Sequence, residues 1–439
     1  MRPRTWVLVL AALFAVLQLA QVTGRDSPDS KNYVSYALAL GGADRRAAAA
    51  RTVDWVCAGR ASGAARAQSV NVVRFHAPSP ARRVFAQCRA DELRHVARRS
   101  AERTDGHVVP FVGPRLRAIF EVRPGYPVFL LPFVTVFGVT WGVWLASVLV
   151  TVAGGVLAFL VLRTLSVPVP LALTGQALYY VLPVGTTAMR PMTEGLLLAL
   201  TLTAVWGCAL ALTGRTDAGR GDAGRAGKAW AGERAGVALV AGALLALFAV
   251  KHAQALFLGA CLAGAGTAVA VVRRRRGQAA GRGVVAITAA GCAAVAGTLL
   301  LARLLHYPSE AESMQDLLTD HYARPDRVRP WPEFLHLEWD FWVEWLRRQA
   351  PAPLFPAALA AGAWGARRRP AFGVFLLAAA GTGFLTQAGH PDIAIGGGRL
   401  IVLAWLLPVL GVPLLLEPLV PRLAAVPTQG APRTAGVSR

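Results

Sequence analysis

Charge is scarce in this 439-residue chain: charged residues make up 16% of it and hydrophobic ones 55%. A soluble domain of this length needs more polar surface than that, so a water-soluble globular fold is excluded. Acids are scarcer than bases, with 24 Asp and Glu against 46 Lys and Arg and a formal net charge of +22. Such an excess would suit a nucleic-acid binder. However, the arginines sit between apolar runs and in one polar loop, with no recognition motif nearby. No nucleic-acid partner is expected, and anionic membrane lipids fit the arginines better. Cysteine is sparse too: there are five, with no CxxC and no His/Cys cluster of metal-site spacing. Cys208, Cys261 and Cys292 lie in apolar runs as small hydrophobes. Cys57 and Cys88 share one polar loop and are the disulfide candidates if it faces an oxidising compartment.

What the chain does have is a series of apolar runs near membrane-spanning length. Arg2 and Arg4 precede the first, from Trp6 to Ala20. Its tail lacks a clean small-x-small cleavage site, so it reads as an uncleaved first span, with a signal peptide as the alternative. A polar stretch, 23–123, follows. Further runs lie at 124–138, 141–162, 167–188, 192–212, 235–250, 253–272, 284–305, 351–366, 371–388 and 400–416, with a second polar stretch at 306–350. The run at 124–138 is short and holds Pro124, Pro127 and Pro132, which suits an interfacial helix better than a span. If it does not cross, Arg163, the 215–234 linker, Arg273 to Arg276, Arg367 to Arg369 and the C-terminal arginines share the side of Arg2 and Arg4. If it crosses, nearly all of them flip outside. The expectation is an all-α, multi-pass protein of about ten spans, read as a single membrane domain, 1–439. Both termini would be cytoplasmic, with a cytoplasmic tail at 417–439 and two large outer loops. Long loops translocate regardless of their charge, so an arginine-rich 23–123 loop is tolerated outside.

The stretch from Trp331 to Trp345 places four tryptophans among carboxylates. Phe334, Leu335, Trp339, Trp342 and Trp345 approximate one helical face, and a helix lying at the outer interface is expected.

With this orientation, polar residues gather at the outer ends of spans: Asp29 and Tyr33 after the first, Glu121 and Arg123 before the interfacial run, and Glu194 opening span four. Lys251 and His252 lie between spans five and six, and His390, Asp392 and Arg399 before the last. The inner ends show no comparable set. In this order the residues resemble the GT-C superfamily of membrane glycosyltransferases, in the branch of protein O-mannosyltransferases and aminoarabinose transferases. The match rests on Asp29 four residues before Tyr33 with Ala37 following, and on Glu121, Arg123 and Pro124 leading a short helix that ends at Phe137-Gly138. It continues through Glu194 after Met192-Thr193, Lys251 closing a short span, and Arg399 ahead of Pro408. One departure is Thr193-Glu194 where aminoarabinose-type members carry Asp-Pro.

The resemblance implies a GT-C-like bundle with outer interfacial helices, in a plasma-membrane enzyme of the cell envelope. It would move a sugar from a polyprenyl-phosphate donor to an extracytoplasmic acceptor. Asp29, Glu194 and Glu121 would be catalytic, and Tyr33, Arg123, Lys251 and Arg399 substrate-binding. A carboxylate can orient and deprotonate an acceptor hydroxyl, while guanidinium and ammonium groups hold the departing phosphate. No cofactor is certain, and a divalent metal stays open. The alternatives are a lipid or sugar transporter or flippase, and a non-catalytic component of envelope assembly. Transporters usually place ionisable groups near the bilayer midplane, whereas the span interiors here are nearly charge-free.

Overall fold

The structure is a computed structural model that describes residues 3–100, 106–213, 223–393 and 399–420, the side chains of 223–230 and 310 aside. The tail expected at 417–439 lies outside them beyond 420. Every regular element among the described residues is helical. The first, α1 (Pro3–Gln18), buries only Val7, Ala11 and Phe14. It leaves Trp6, Leu8, Leu13, Val16 and Leu17 exposed, as a helix at a lipid-facing perimeter should.

The first polar loop folds into four helices, α2 (Ser30–Leu40), α3 (Arg45–Ser69), α4 (Ala81–Arg99) and α5 (Pro114–Glu121). Asp44 starts α3 by accepting from the amides of Arg46 and Ala47 at 2.8 and 2.9 Å, a helix N-cap. Cys57 on α3 and Cys88 on α4 form a disulfide, with Cα atoms 5.6 Å apart. They lie in a core of their own with Tyr33, Val34, Trp55, Val56 and Phe120. The disulfide closes a loop with a sequence separation of 31, and loop-closure entropy alone makes that about 3–4 kcal/mol. Reduction is therefore expected to open the α3–α4 hairpin to protease while the apolar helices stay protected. Cleavage of both forms at equal rates would show that the bond braces nothing.

Next comes α6 (Gly125–Thr164), which bends at Gly138, where φ is +71° and ψ 173°. That left-handed region favours glycine. The bend turns the chain back on itself so tightly that a Cβ at Gly142 would lie 2.4 Å from the carbonyl oxygen of Phe133. The 125–137 segment is thus a separate arm, and its Tyr126, Leu130 and Val134 join the loop core. The chain continues through α7 (Val169–Val181), α8 (Pro183–Ala188) and α9 (Thr193–Thr213) to α10 (Ala223–Arg275). One non-helical residue, Lys251, divides α10. Gly236, before that break, packs on Gly207 of α9. Gly259, after it, packs on Gly291 of α11 (Arg282–Leu304). Tyr307, just past α11, returns to His252 with ring centroids 5.1 Å apart. Lys251, His252 and the start of the second polar loop therefore share one end of the bundle.

That loop holds α12 (Glu310–Leu318), capped by a Ser309–Glu312 box, and α13 (Pro330–Gln349). The aromatic residues of α13 do not form the single face expected. Phe341 and Trp345 are buried, with Trp342 and Trp345 against Phe384 and Phe355, while Trp331, Leu335 and Trp339 stay exposed. One side clamps the bundle and the other faces away from it. The chain closes with α14 (Leu354–Ala366), α15 (Pro370–Ala388), a 3-10 turn (Leu400–Trp405) and α16 (Leu406–Leu416). Backbones of α14 and α16 touch: a Cβ at Gly365 would lie 1.9 Å from the Gly411 carbonyl oxygen. Small residues that let helices approach this closely are typical of packing within membranes.

Among the described residues, six helices are long and apolar enough to cross a membrane: Pro3–Gln21, Gly125–Thr164, Thr193–Thr213, Ala231–Arg275, Arg282–Leu304 and Pro370–Ala388. The sequence led to about ten. The difference arises because Ala231–Arg275 runs through the Lys251 break as one helix, while α14 and Leu400–Leu416 are shorter apolar helices and α7 and α8 are separate short ones.

Candidate functional site

Asp29 occupies the residue position that would cap α2, yet its side chain makes no capping hydrogen bond. Giving up such a cap costs about 1 kcal/mol, and the carboxylate is directed elsewhere. It accepts a hydrogen bond and an ion pair from the guanidinium Nη2 of Arg399, 370 positions away in sequence. The same guanidinium donates through Nε to Glu194 Oε1 at 2.9 Å. Glu194 lies in the first turn of α9, where the helix dipole favours a carboxylate. Its side chain is 4% exposed, against 17% for Arg399 and 29% for Asp29. Thr193 Oγ1 lies 3.3 Å from the second oxygen of Glu194. Burial alone would lower the pKa of Arg399, but the two carboxylates outweigh it and raise it.

Two further cations stand around this triad. The charges of Arg123, Glu194, Arg399 and Asp29 all reach Lys251, and Lys251, Glu194 and Arg399 line one narrow pocket with Thr386 and Leu403. Arg123 hydrogen-bonds the hydroxyl of Tyr33, which is fully buried. Burial raises the phenol's pKa, with Asp29 and Glu194 adding to the rise and Arg123 opposing it. Tyr33 itself is wedged edge-on between Phe120 and Tyr126, at 5.3 and 5.5 Å. Space among the pocket side chains is about 10 Å³, room for about one water. Below it, Thr386 donates to Gln254 Oε1 at 2.9 Å and Gln254 Nε2 donates to Thr382 at 3.1 Å. These bonds tie α10 to α15 beside the Lys251 break.

Glu121 does not share this arrangement. Its carboxylate accepts from the amides of Val108 at 2.8 Å and His107 at 3.3 Å, and its carbonyl accepts from the Tyr36 hydroxyl at 3.2 Å. Both oxygens therefore stitch a loop together, and the expected trio of acids reduces to a pair. Nor does the donor set fit a divalent metal. The space between the two carboxylates is filled by a guanidinium, and no group of three or more His, Cys, Asp or Glu gathers among the described residues.

One feature of the site was not anticipated. Asp320, His321 and Tyr322 adopt φ of 55°, 58° and 60° in succession, a left-handed turn that L-residues with Cβ atoms avoid at a cost of about 1–2 kcal/mol each. Thr319 Oγ1 accepts from the Tyr322 amide at 3.1 Å, Tyr322 donates to the Glu312 carbonyl at 2.8 Å, and Arg115 lies 4.1 Å from the Tyr322 ring. The turn presents His321 with its Nδ1 3.0 Å from the Asp316 carboxylate. Asp316 raises the pKa of His321, burial opposes it, and the charges of Asp29 and Asp320 add to the rise. The charge of Asp29 reaches this histidine, and His390 lies within reach of both His321 and Lys251; nothing in the spacing of 306–350 indicated it. A pKa raised in the folded state means that the pair contributes fully below the ordinary histidine value of about 6.5. That contribution fades as pH climbs through the raised value. Amide exchange across 316–324 is expected to accelerate with rising pH beyond the intrinsic chemical rate, and Asp316→Asn should abolish the extra acceleration. An identical pH profile in the variant would refute the coupling.

No protein-family model, curated protein or solved structure matches the chain.

Proposed function

We propose that this protein is an integral membrane glycosyltransferase of the GT-C kind, moving a sugar from a polyprenyl-phosphate donor to an acceptor outside the cytoplasm. One observation carries the reading: Asp29 and Glu194, opening two helices far apart in the chain, meet on Arg399. Solvated loop acids have no reason to converge on one guanidinium. In this reading the acceptor hydroxyl attacks the anomeric carbon, the bond from that carbon to the phosphate oxygen breaks, and polyprenyl phosphate leaves with the electron pair. Asp29 takes the hydroxyl proton. Arg399, with Lys251 and Arg123, holds the phosphate, by paired hydrogen bonds from guanidinium and as a point charge from ammonium. Donor phosphate and Asp29 then compete for the same guanidinium, so arrival of the donor frees the base where it is needed. Glu194, the more buried acid, keeps Arg399 in place throughout. The closed pocket of the ion-paired state would have to widen around the sugar.

Read this way, Ala231–Arg275 crosses twice, once on each side of Lys251, and α7–α8, α14 and Leu400–Leu416 cross once each, which makes ten crossings plus an interfacial arm at 125–137, with both termini cytoplasmic. Residue-by-residue cysteine accessibility should place Arg273 to Arg276 inside, and Gly63 and Ser313 outside. Finding the arginine cluster outside would reverse the orientation and remove the site from the donor's leaflet. The activity is tested by reconstituting the full chain with a radiolabelled polyprenyl-phosphate sugar and following label into a non-lipid fraction. Flux of intact donor across the vesicle wall without transfer would establish a flippase instead.

A further inference from the structure

The α3–α4 hairpin ends in an unusual tip. Val70, Val72, Val73 and Phe75 are 80, 88, 72 and 63% exposed, on consecutive turns of a disulfide-braced element. Loop tips on soluble domains are usually small and polar. Charge around the tip is of one sign: between Asp54 and Asp91 there are six arginines and no acid. Arg60 pairs with Glu92 and Arg89 with Asp54, both toward the base of the hairpin. None of the ion pairs among the described residues involves Arg74, Arg82 or Arg83, all of them exposed near the tip.

The position of the tip follows from what α3 crosses. Just before it starts, a Cβ at Gly41 would touch Leu131 and Thr135 of the 125–137 arm, at 3.1 and 3.5 Å. Midway, a Cβ at Gly59 would meet the Gly24 amide at 3.0 Å, and one at Gly24 would meet Arg66 at 3.2 Å. Gly24 lies just beyond α1, the perimeter helix. So α3 passes from over the arm to over the end of α1, at the height where both meet the loops. From Gly59 to Ser69 it continues about 15 Å at 1.5 Å per residue, and the tip to which it leads is exposed.

We propose that residues 70–75 seat in the anionic lipid interface beside α1, their valines and phenylalanine among the upper acyl chains and Arg74, Arg82 and Arg83 among acidic head groups. The combination of apolar side chains with arginines and no acid is what interfacial membrane binding requires. A protein partner would have to supply both an apolar socket and an acidic rim. The inference stands apart from the catalytic reading and survives its failure.

The test uses the full chain with Cys208, Cys261 and Cys292 replaced by alanine, the disulfide kept, and an environment-sensitive label on Val72→Cys. A matched label on Arg98→Cys, exposed at the other end of α4, is the control. In nanodiscs rich in phosphatidylglycerol, spin-labelled acyl chains should quench the label at 72 several-fold more than the label at 98. Replacing Arg74, Arg82 and Arg83 by glutamine, or raising the salt, should reduce that difference. Equal quenching at both positions overturns the proposal. So does shielding at 72 that appears only when a second protein is added, which would assign the tip to a protein partner.

Discussion

Asp29→Asn is expected to lower turnover by about 10²–10⁴-fold, the range that a positioned general base supplies. The substitution keeps size and shape while removing both the proton acceptor and the negative charge. Because Glu194 still holds Arg399 through Nε, the guanidinium keeps a partner and the fold should survive. The loss should therefore fall on kcat in reconstituted transfer assays, with the melting temperature nearly unchanged. An Asn variant that turns over like the parent would reduce Asp29 to a counter-ion and sink the mechanism.

Replacing Arg399 should have the opposite emphasis. Arg399→Met leaves Glu194, nearly fully buried, and Asp29, mostly covered, facing each other with no guanidinium between them. Removing one partner of a buried ion pair costs about 3–5 kcal/mol, because the remaining charge stays desolvated. A marked fall in thermal stability in detergent is expected, together with loss of transfer. The triple variant Asp29→Asn, Glu194→Gln, Arg399→Met removes all three charges and should recover most of the stability, and none of the activity. If Arg399→Met alone melts like the parent, the triad holds nothing together. If the triple variant is active, the site lies elsewhere.

Much of this site could be read from the order of residues along the chain, and for a physical reason. Each of Asp29, Glu194, Lys251 and Arg399 stands where an apolar helix begins, breaks or is about to begin, and a bilayer forces such junctions to one face or the other. Helix ends thus act as coordinates that sequence alone can supply. That the 125–137 arm stands apart from the helix after it was legible in the same way, since three prolines interrupt a run too short to cross. Glu121 misled because it too stands at a helix end. Only the fold reveals that the amides of His107 and Val108 take up its oxygens. The inward turn of Trp342 and Trp345 on α13 depends on Phe355 and Phe384, residues on two later helices. Asp316 and His321 were invisible for a different reason. Their relation depends on a strained turn whose cost is met by contacts from Glu312 and Arg115, and no periodicity reports such a turn.

The ion-paired triad also imposes an order on biogenesis. Asp29 is made with the first helices, Glu194 follows, and their shared counter-ion is 370 and 205 positions downstream of them, respectively. At ~5–20 residues per second of synthesis, Asp29 waits ~20–70 s for Arg399 to emerge. During that interval the nascent bundle holds two acids in a cleft that lacks its closing cation, and water must solvate them. The hairpin helices α3 and α4 can form early around their disulfide, but the cleft stays wet until the 3-10 turn that follows Arg399 docks against α15. A ribosome stalled before that turn would leave a half-built protein with buried carboxylates unpaired, a defect that membrane proteases could detect without any knowledge of its function.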